Sequence, residues 1–293
     1  VKGFFREGDQ LLVHYGDPIS GCPGMRMQTF CEETFEFKVL VDAFATCQYI
    51  EVQESPVLSI VPGAVAKWKA QLPTMRRVNE SFRLLLKAED RWGNPADQTD
   101  FRLRFSPTQS VNGLPCETID VSLKDGVLFF EGLSVPVPGD LSVELHDAKG
   151  DHVTRSNPMR IIEHSELVPF WGELHGQSEE TIGTNSIYDY FAFARDKAGL
   201  DVIVHQGNDF QITNEFWEKI QSMTQQFLDE GELVTFPGYE WSGNTGLGGD
   251  RNVLFFQEGE PIRRSSHVLV SDLTDLNNDC NSSDDLFLAL KET

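Results

Sequence analysis

The chain has 293 residues, 46 of them acidic and 24 basic, for a formal charge of −22 at neutral pH. Such a surface repels phosphate backbones and anionic lipid, so neither nucleic acid nor a membrane is an expected partner. Hydrophobic residues at 40% and charged residues at 24% give the composition of a globular protein, and no run of 18 apolar residues occurs.

The five cysteines (Cys22, Cys31, Cys47, Cys116 and Cys280) form no CxxC pair. They make neither a disulfide scaffold nor a zinc ribbon, and a reducing, cytoplasmic location is expected. The first residue is Val1, and no basic start leads into an apolar run, so no signal peptide is read.

Residues 1–165 carry 23 acidic and 17 basic side chains, and residues 166–293 carry 23 and 7. This shift places an expected domain boundary near 163–168. The first part reads as short strands at 34–41, 82–88, 101–105, 126–130 and 141–145. Turn chemistry separates them at Trp92-Gly93-Asn94-Pro95, Lys124-Asp125-Gly126 and Pro138-Gly139-Asp140. This pattern predicts an antiparallel β-sandwich. The stretch Ala88–Pro95 resembles the strand-turn signature of immunoglobulin-like repeats in bacterial surface proteins. His14, His146 and His152 are scattered, and this half reads as a scaffold or lid.

The second part alternates strands and helices. LVPFWGELH at 167–175 predicts a buried strand. Ile187, Tyr190, Phe191 and Ala194 recur at helical spacing within 186–198, with Gly199 as the stop. A strand follows at 200–204, then a helix at 214–228, strands at 233–239 and 252–256, and a helix from 284. This order predicts a parallel α/β arrangement, in which functional groups collect at the carboxyl ends of strands.

Those strand ends are rich in donors. The first carries His175 and Gln177, the second His205, Asn208 and Asp209, and the third Glu240. Such nitrogen and oxygen donors suit a divalent ion, Zn, Mn or Fe, of unknown number. His175, Asp209, Glu240 and His205 are the candidate ligands. Each has a plainer alternative: a loop hydrogen bond for His175, an ion pair with Arg251 for Glu240, an outer supporting position for His205, and turn chemistry for Asp209. Glu240, His205 and Arg251 are the candidate catalytic residues. Gln177, Asn208 and Asn252 are candidates for supporting the ligands or touching substrate. The glycine-rich run 242–252 lacks the Gly-Lys-Ser/Thr of a phosphate loop and reads as a lid or connector. Arg263 and Arg264 read as a solvated turn or an anion contact, and 272–285 as acidic surface.

At these residues the sequence resembles a known group. Trp171–Ser178 with Thr181-Ile182-Gly183-Thr184, then His205–Phe210, Phe236–Gly243 and Gly249-Asp250-Arg251-Asn252, look like the domain of unknown function 3604 family. Gly16-Asp17 through Gly24–Phe30 look like its amino-terminal part. That family is similar to the PHP (polymerase and histidinol phosphatase) superfamily. The resemblance implies a β/α barrel with up to three metal ions at its mouth and hydrolysis of phosphoesters. It places His175 at the first histidine of a His-x-His motif and Glu240 at a metal-bridging glutamate. Gln177 and Asn208 stand where the superfamily has histidines.

The resulting expectation is an amino-terminal β-sandwich over 1–165 and a partial, incomplete PHP-like β/α barrel over 166–293, in a fragment of a longer protein. The expected activity is metal-dependent hydrolysis of a small anionic substrate, a phosphoester first. The alternatives are an ester or lactone as substrate, or a non-catalytic binding module with a degenerate barrel.

Overall fold

The computed structural model describes residues 6–243, 246 and 248–291. Within the glycine-rich run, Asn244, Thr245 and Leu247 lie outside the described residues.

Two short antiparallel pairs come first. β1 (Glu32–Glu36) pairs with β4 (Val57–Ile60), and between them β2 (Leu40–Val41) pairs with β3 (Ile50–Glu51). The expected strand at 34–41 is thus split in two. These ribbons are exposed on most positions and add no residue to either buried core.

The first core belongs to ten strands. β5 (Lys67–Gln71), β6 (Met75–Arg77), β7 (Phe82–Glu89), β8 (Gln98–Pro107) and β9 (Ile119–Leu123) are followed by β10 (Val127–Leu133) and β11 (Gly139–Leu141). β12 (Val143–Asp147), β13 (His152–Arg155) and β14 (Met159–Ile162) complete the set. They form sheets of order β10-β7-β5, β13-β12-β8-β9 and β11-β14-β6. Leu84, Leu86, Leu103, Leu123, Leu133, Leu145 and Ile161 fill the space that these sheets share. The arrangement is not wholly antiparallel, because β14 runs parallel to β6, with Arg160 opposite Met75.

Local chemistry explains the turns. Asp125 (φ 54°) and Gly126 (φ 74°) both lie in the left-handed region. Val127 N–H donates to the Lys124 carbonyl, which makes the tight reversal an Asp-Gly pair favours. After β7, the buried Asp90 carboxylate accepts the backbone N–H groups of Trp92, Gly93 and Asn94 through one oxygen. Its second oxygen accepts Gly63 N–H and the Asn94 amide.

β7 is buried on both faces. Phe82, Leu84 and Leu86 enter the core, while Leu85 is also buried. A Cβ on Gly199 would lie 2.7 Å from Leu85 Cδ2. The outer face of β7 is therefore covered by the second half of the chain. This is why apolar residues here do not simply alternate.

The second half begins with β15 (Gly172–Gly176). Next come α1 (Ile187–Phe193), a single π-turn at Ala194–Ala198, β16 (Val202–His205), α2 (Asn214–Phe227) and β17 (Val234–Phe236). Ser186 caps α1 and is answered by Asp189, a capping box, and Gly199 ends the π-turn at φ 66°. β15, β16 and β17 form one parallel sheet. β18 (Gly238–Trp241) and β19 (Arg251–Leu254) form an antiparallel ribbon, and α3 (Ser283–Lys291) closes the described chain. Phe191, Trp217, Ile220, Tyr239 and Trp241 make the second core.

This overturns the expected barrel. The fold is mainly β, with three α-helices among the described residues, and no β/α barrel forms. After β17 the chain passes Pro237 and turns β18 into a ribbon with β19, which meets the chain after β16 through the isolated Asn208–Glu240 bridge. Three parallel strands cannot close on themselves, and β18 is joined to them by a single parallel bridge while its ladder is with β19. The segment expected as a buried strand at 167–175 is a short, exposed edge, because β15 has a neighbour on one side only.

Candidate functional site at the strand ends

The carboxyl ends of β15, β16 and β18 converge, as the parallel register requires. Gly176 lies opposite His205. Glu240 N–H donates 2.9 Å to the Gly207 carbonyl, which draws the ribbon onto the end of β16. A Cβ on Gly176 would run into the Tyr190 ring and hydroxyl, so glycine lets the strand pass α1 with that ring in place.

Glu240 is the centre of the cluster. Its side chain is only 8% exposed, and its Oε1 lies 3.9 Å from His175 Nε2. Its Oε2 accepts Asn208 Nδ2 at 3.0 Å and Gln177 Nε2 at 3.3 Å. Burial raises the Glu240 carboxyl above its usual range, against the nearby His175, which lowers it. Asn208 also donates to Ser242 Oγ at 3.0 Å and accepts from Gln177 at 3.2 Å. Thr181 Oγ donates 2.7 Å to Gln177 Oε1 and so orients the amide.

His175 is exposed, with its ring held by Asn252. Nδ1 lies 3.0 Å from Asn252 Oδ1, and Asn252 Nδ2 donates 2.6 Å to the Leu174 carbonyl. Asn252 is paired with Glu240 across the β18–β19 ribbon. With Asn252 accepting from Nδ1–H, the Nε2 lone pair faces Glu240 and solvent.

The other expected residues lie elsewhere. His205 is fully buried, with its ring edge-on to Tyr190 and Phe216. Gly207 N–H donates to its Nδ1 at 3.2 Å, and Nε2 lies 2.9 Å from Ser178 Oγ. Ser178 in turn donates to Glu180, which pairs with Lys219 at 2.8 Å. Burial pushes the His205 imidazole down to about 4, so it is neutral near pH 7. Asp209 is buried and accepts Ser242 N–H at 2.7 Å and Ser265 N–H. Burial raises its carboxyl despite these bonds. Arg251 is paired with Trp241, so the alternation of the ribbon places it on the face opposite Glu240. It donates to the Asp250 carbonyl and forms no ion pair among the described residues.

Arg264 is the cation that chain reading placed on a solvated turn. It is fully buried, donating to the Ile212 carbonyl at 3.0 and 2.9 Å and to Asn214 Oδ1 at 2.8 Å, and pairing with Asp275. Part of the acidic run is inward too: Asp275 and Asp279 flank His267 at 3.0 and 2.7 Å. Ser178, Thr181 and Ser242 were not singled out as site residues. Hydroxyls are too common in loops to be distinguished without the fold.

The donor chemistry bears on a metal. Among the described residues, no group of three or more His, Cys, Asp or Glu side chains is placed to hold one. The strand ends offer one carboxylate, one imidazole and two amides. That set does not fit a tetrahedral zinc centre or a three-metal centre. Its oxygen donors are of the type that hard divalent ions take.

Residues 150–291 match the family model described as "Protein of unknown function (DUF3604)". The match takes in the whole strand-end cluster and not the stretch 16–30. An uncharacterized protein of Chlamydia pneumoniae is 24% identical over 247 residues, covering 80% of this chain and 38% of that protein. One of Chlamydia muridarum is 22% identical over 264 residues, covering 86% and 41%. The chain thus spans about two fifths of the length of these relatives. Among solved structures, parts of the chain are similar to the Yersinia pseudotuberculosis adhesin InvE, at 15% identity over 32% of this chain and 26% of that one, with a TM-score of 0.25. Another is the D0-D1 domain of Intimin, at 13% identity over 41% and 58%, also with a TM-score of 0.25.

Proposed function

We propose that the DUF3604-matching half carries a hydrolytic site at its strand ends, dependent on one divalent ion and acting on a small anionic ester, a phosphoester first. The observation that carries this reading is the convergence of His175 and Glu240, 65 positions apart in sequence, at 3.9 Å beside the amides of Gln177, Asn208 and Asn252. His175 Nε2 and Glu240 Oε1 would hold the ion. When bound, such an ion lowers the pKa of coordinated water and polarises an ester oxygen. Asn252 orients the imidazole, and Gln177 with Asn208 fixes the carboxylate. Likeness to the PHP superfamily rests, in this reading, on His175 and Glu240 and involves no barrel. His205 and Asp209 serve by bracing the strand ends, and Arg251 takes no part at the ion.

A second reading has its own observation. Two amide N–H groups already satisfy Glu240 Oε2, so the carboxylate is balanced without a cation. This favours a non-catalytic module that binds a polar ligand at the same strand ends.

Metal content separates the two. Protein purified without chelators, and reconstituted with Mn, Zn or Fe, is analysed by plasma mass spectrometry beside a His175→Ala, Glu240→Ala double variant. About one equivalent in the parent, lost in the variant, together with metal-dependent cleavage of a chromogenic phosphoester, supports the hydrolase. A folded parent that retains no ion leaves the binding module.

A further inference from the structure

A cavity of about 410 Å³ lies between the two halves, away from the strand ends. Its charged lining is Lys69 on β5, Arg76 at β6, Arg83 on β7, Arg155 on β13 and Asp201 before β16. Four cations face one carboxylate, in a chain whose net charge is −22. Asp201 is engaged, accepting Trp171 N–H at 2.8 Å. Lys69 pairs with Glu89 at 2.9 Å, Arg83 with Glu232 at 3.1 Å and Arg155 with Glu144 at 3.8 Å, and none of these three acids lines the cavity.

Arg76 is different. It is nine-tenths buried, yet its guanidinium has no ion pair among the described residues. Nη1 donates 2.8 Å to its neighbour's carbonyl, and the group lies 5.5 Å from the centre of the Phe170 ring. A guanidinium has five N–H donors, arranged to grip an oxyanion in a fork. Most of these donors are uncommitted. Leu72, Leu85 and the half-exposed Trp171 supply apolar wall beside it. The volume suits a small molecule, and junctions between packed units are where such sites form.

We infer that this cavity binds a small dianion on an apolar body, a phosphate monoester with an aromatic or aliphatic group. Arg76 takes the phosphate as a fork, and Lys69, Arg83 and Arg155 supply the surrounding positive field. Arg76 is the one of these four cations with no acidic partner among the described residues, so the phosphate charge is met chiefly there. The apolar body lies against Trp171 and Leu85. This site is independent of the strand-end cluster.

The test is calorimetric titration of the full chain, in EDTA and at low salt, with phenyl phosphate and with inorganic phosphate. Expected are saturable binding of one phenyl phosphate, at least tenfold tighter than inorganic phosphate, and a loss of at least tenfold in Arg76→Gln. Glu240→Gln leaves it within twofold. Arg155→Gln, an exposed side chain whose partner Glu144 is also exposed, weakens it severalfold and serves if Arg76→Gln does not fold. Absence of saturable binding overturns the inference. So does affinity unchanged in both cavity variants, or affinity abolished by Glu240→Gln, which would assign the ligand to the strand ends.

Discussion

Asn208 gives its Nδ2 hydrogen to Glu240 Oε2 at 3.0 Å, across the point where the β18–β19 ribbon meets the end of β16. An amide there neutralises nothing; it only satisfies the carboxylate. A carboxylate in its place would add a second negative charge at hydrogen-bond distance, stable only with a cation between the two.

Asn208→Asp should therefore make folding depend on metal. Without divalent ions the variant is expected to lose about 1–3 kcal/mol. Millimolar Mn²⁺ should recover most of that loss and leave the parent's melting temperature less affected. Thermal denaturation with EDTA and with MnCl₂ checks it. A variant as stable as the parent in EDTA, or indifferent to Mn²⁺, refutes the reading of this pair.

His205 makes a pH prediction. Its imidazole is held neutral by burial, with a folded-state pKa of about 4 against 6.5 when unfolded. For a base, a depressed folded pKa means that the unfolded chain takes up the proton first. The folded state is unaffected above 6.5 and loses ground as pH falls from 6.5 towards 4, by about 1.4 kcal/mol per pH unit, roughly 3 kcal/mol in all. Urea unfolding of the parent and of His205→Gln at pH 7 and pH 4.5 should show the parent's stability falling more. Equal losses would mean that the ring is not the titrating group.

The Asp90 turn predicts in the opposite sense. Burial works to raise its carboxyl, but the N–H donors of Asn94, Gly63 and Trp92 prevail and hold it at about 2. Its contribution is complete above the ordinary carboxylate range and is lost as pH falls through about 2. Asp90→Ala leaves several N–H groups unpaired and is expected to cost about 2–4 kcal/mol at pH 7. Asp90→Asn should fall between. A neutral result for Asp90→Ala, by chemical denaturation, would show that water replaces the carboxylate.

Arg264 should be irreplaceable by lysine. Its fork reaches Ile212, Asn214 and Asp275 together, and a point charge cannot. Arg264→Ala leaves Asp275 without its fully buried partner and is expected to cost about 3–5 kcal/mol. Arg264→Lys should recover less than half of that. Full recovery in urea unfolding would reduce the residue to a charge.

Much of this protein was legible along the chain wherever the physics is local. Ser186, Asp189 and Gly199 bound α1 through backbone groups a few residues away, and Asp125-Gly126 dictates its reversal through φ alone. The clustering of His175 and Glu240 followed from one further step, that parallel strands present their carboxyl ends together. Only the tertiary structure decided the rest. Whether β18 joins the sheet or pairs with β19, whether His205 faces solvent or a core, and whether Arg264 meets water or Asp275 depend on contacts ten or more residues apart. A polar side chain carries no mark of its partner in its neighbours, and its burial is set by what the rest of the chain brings to it.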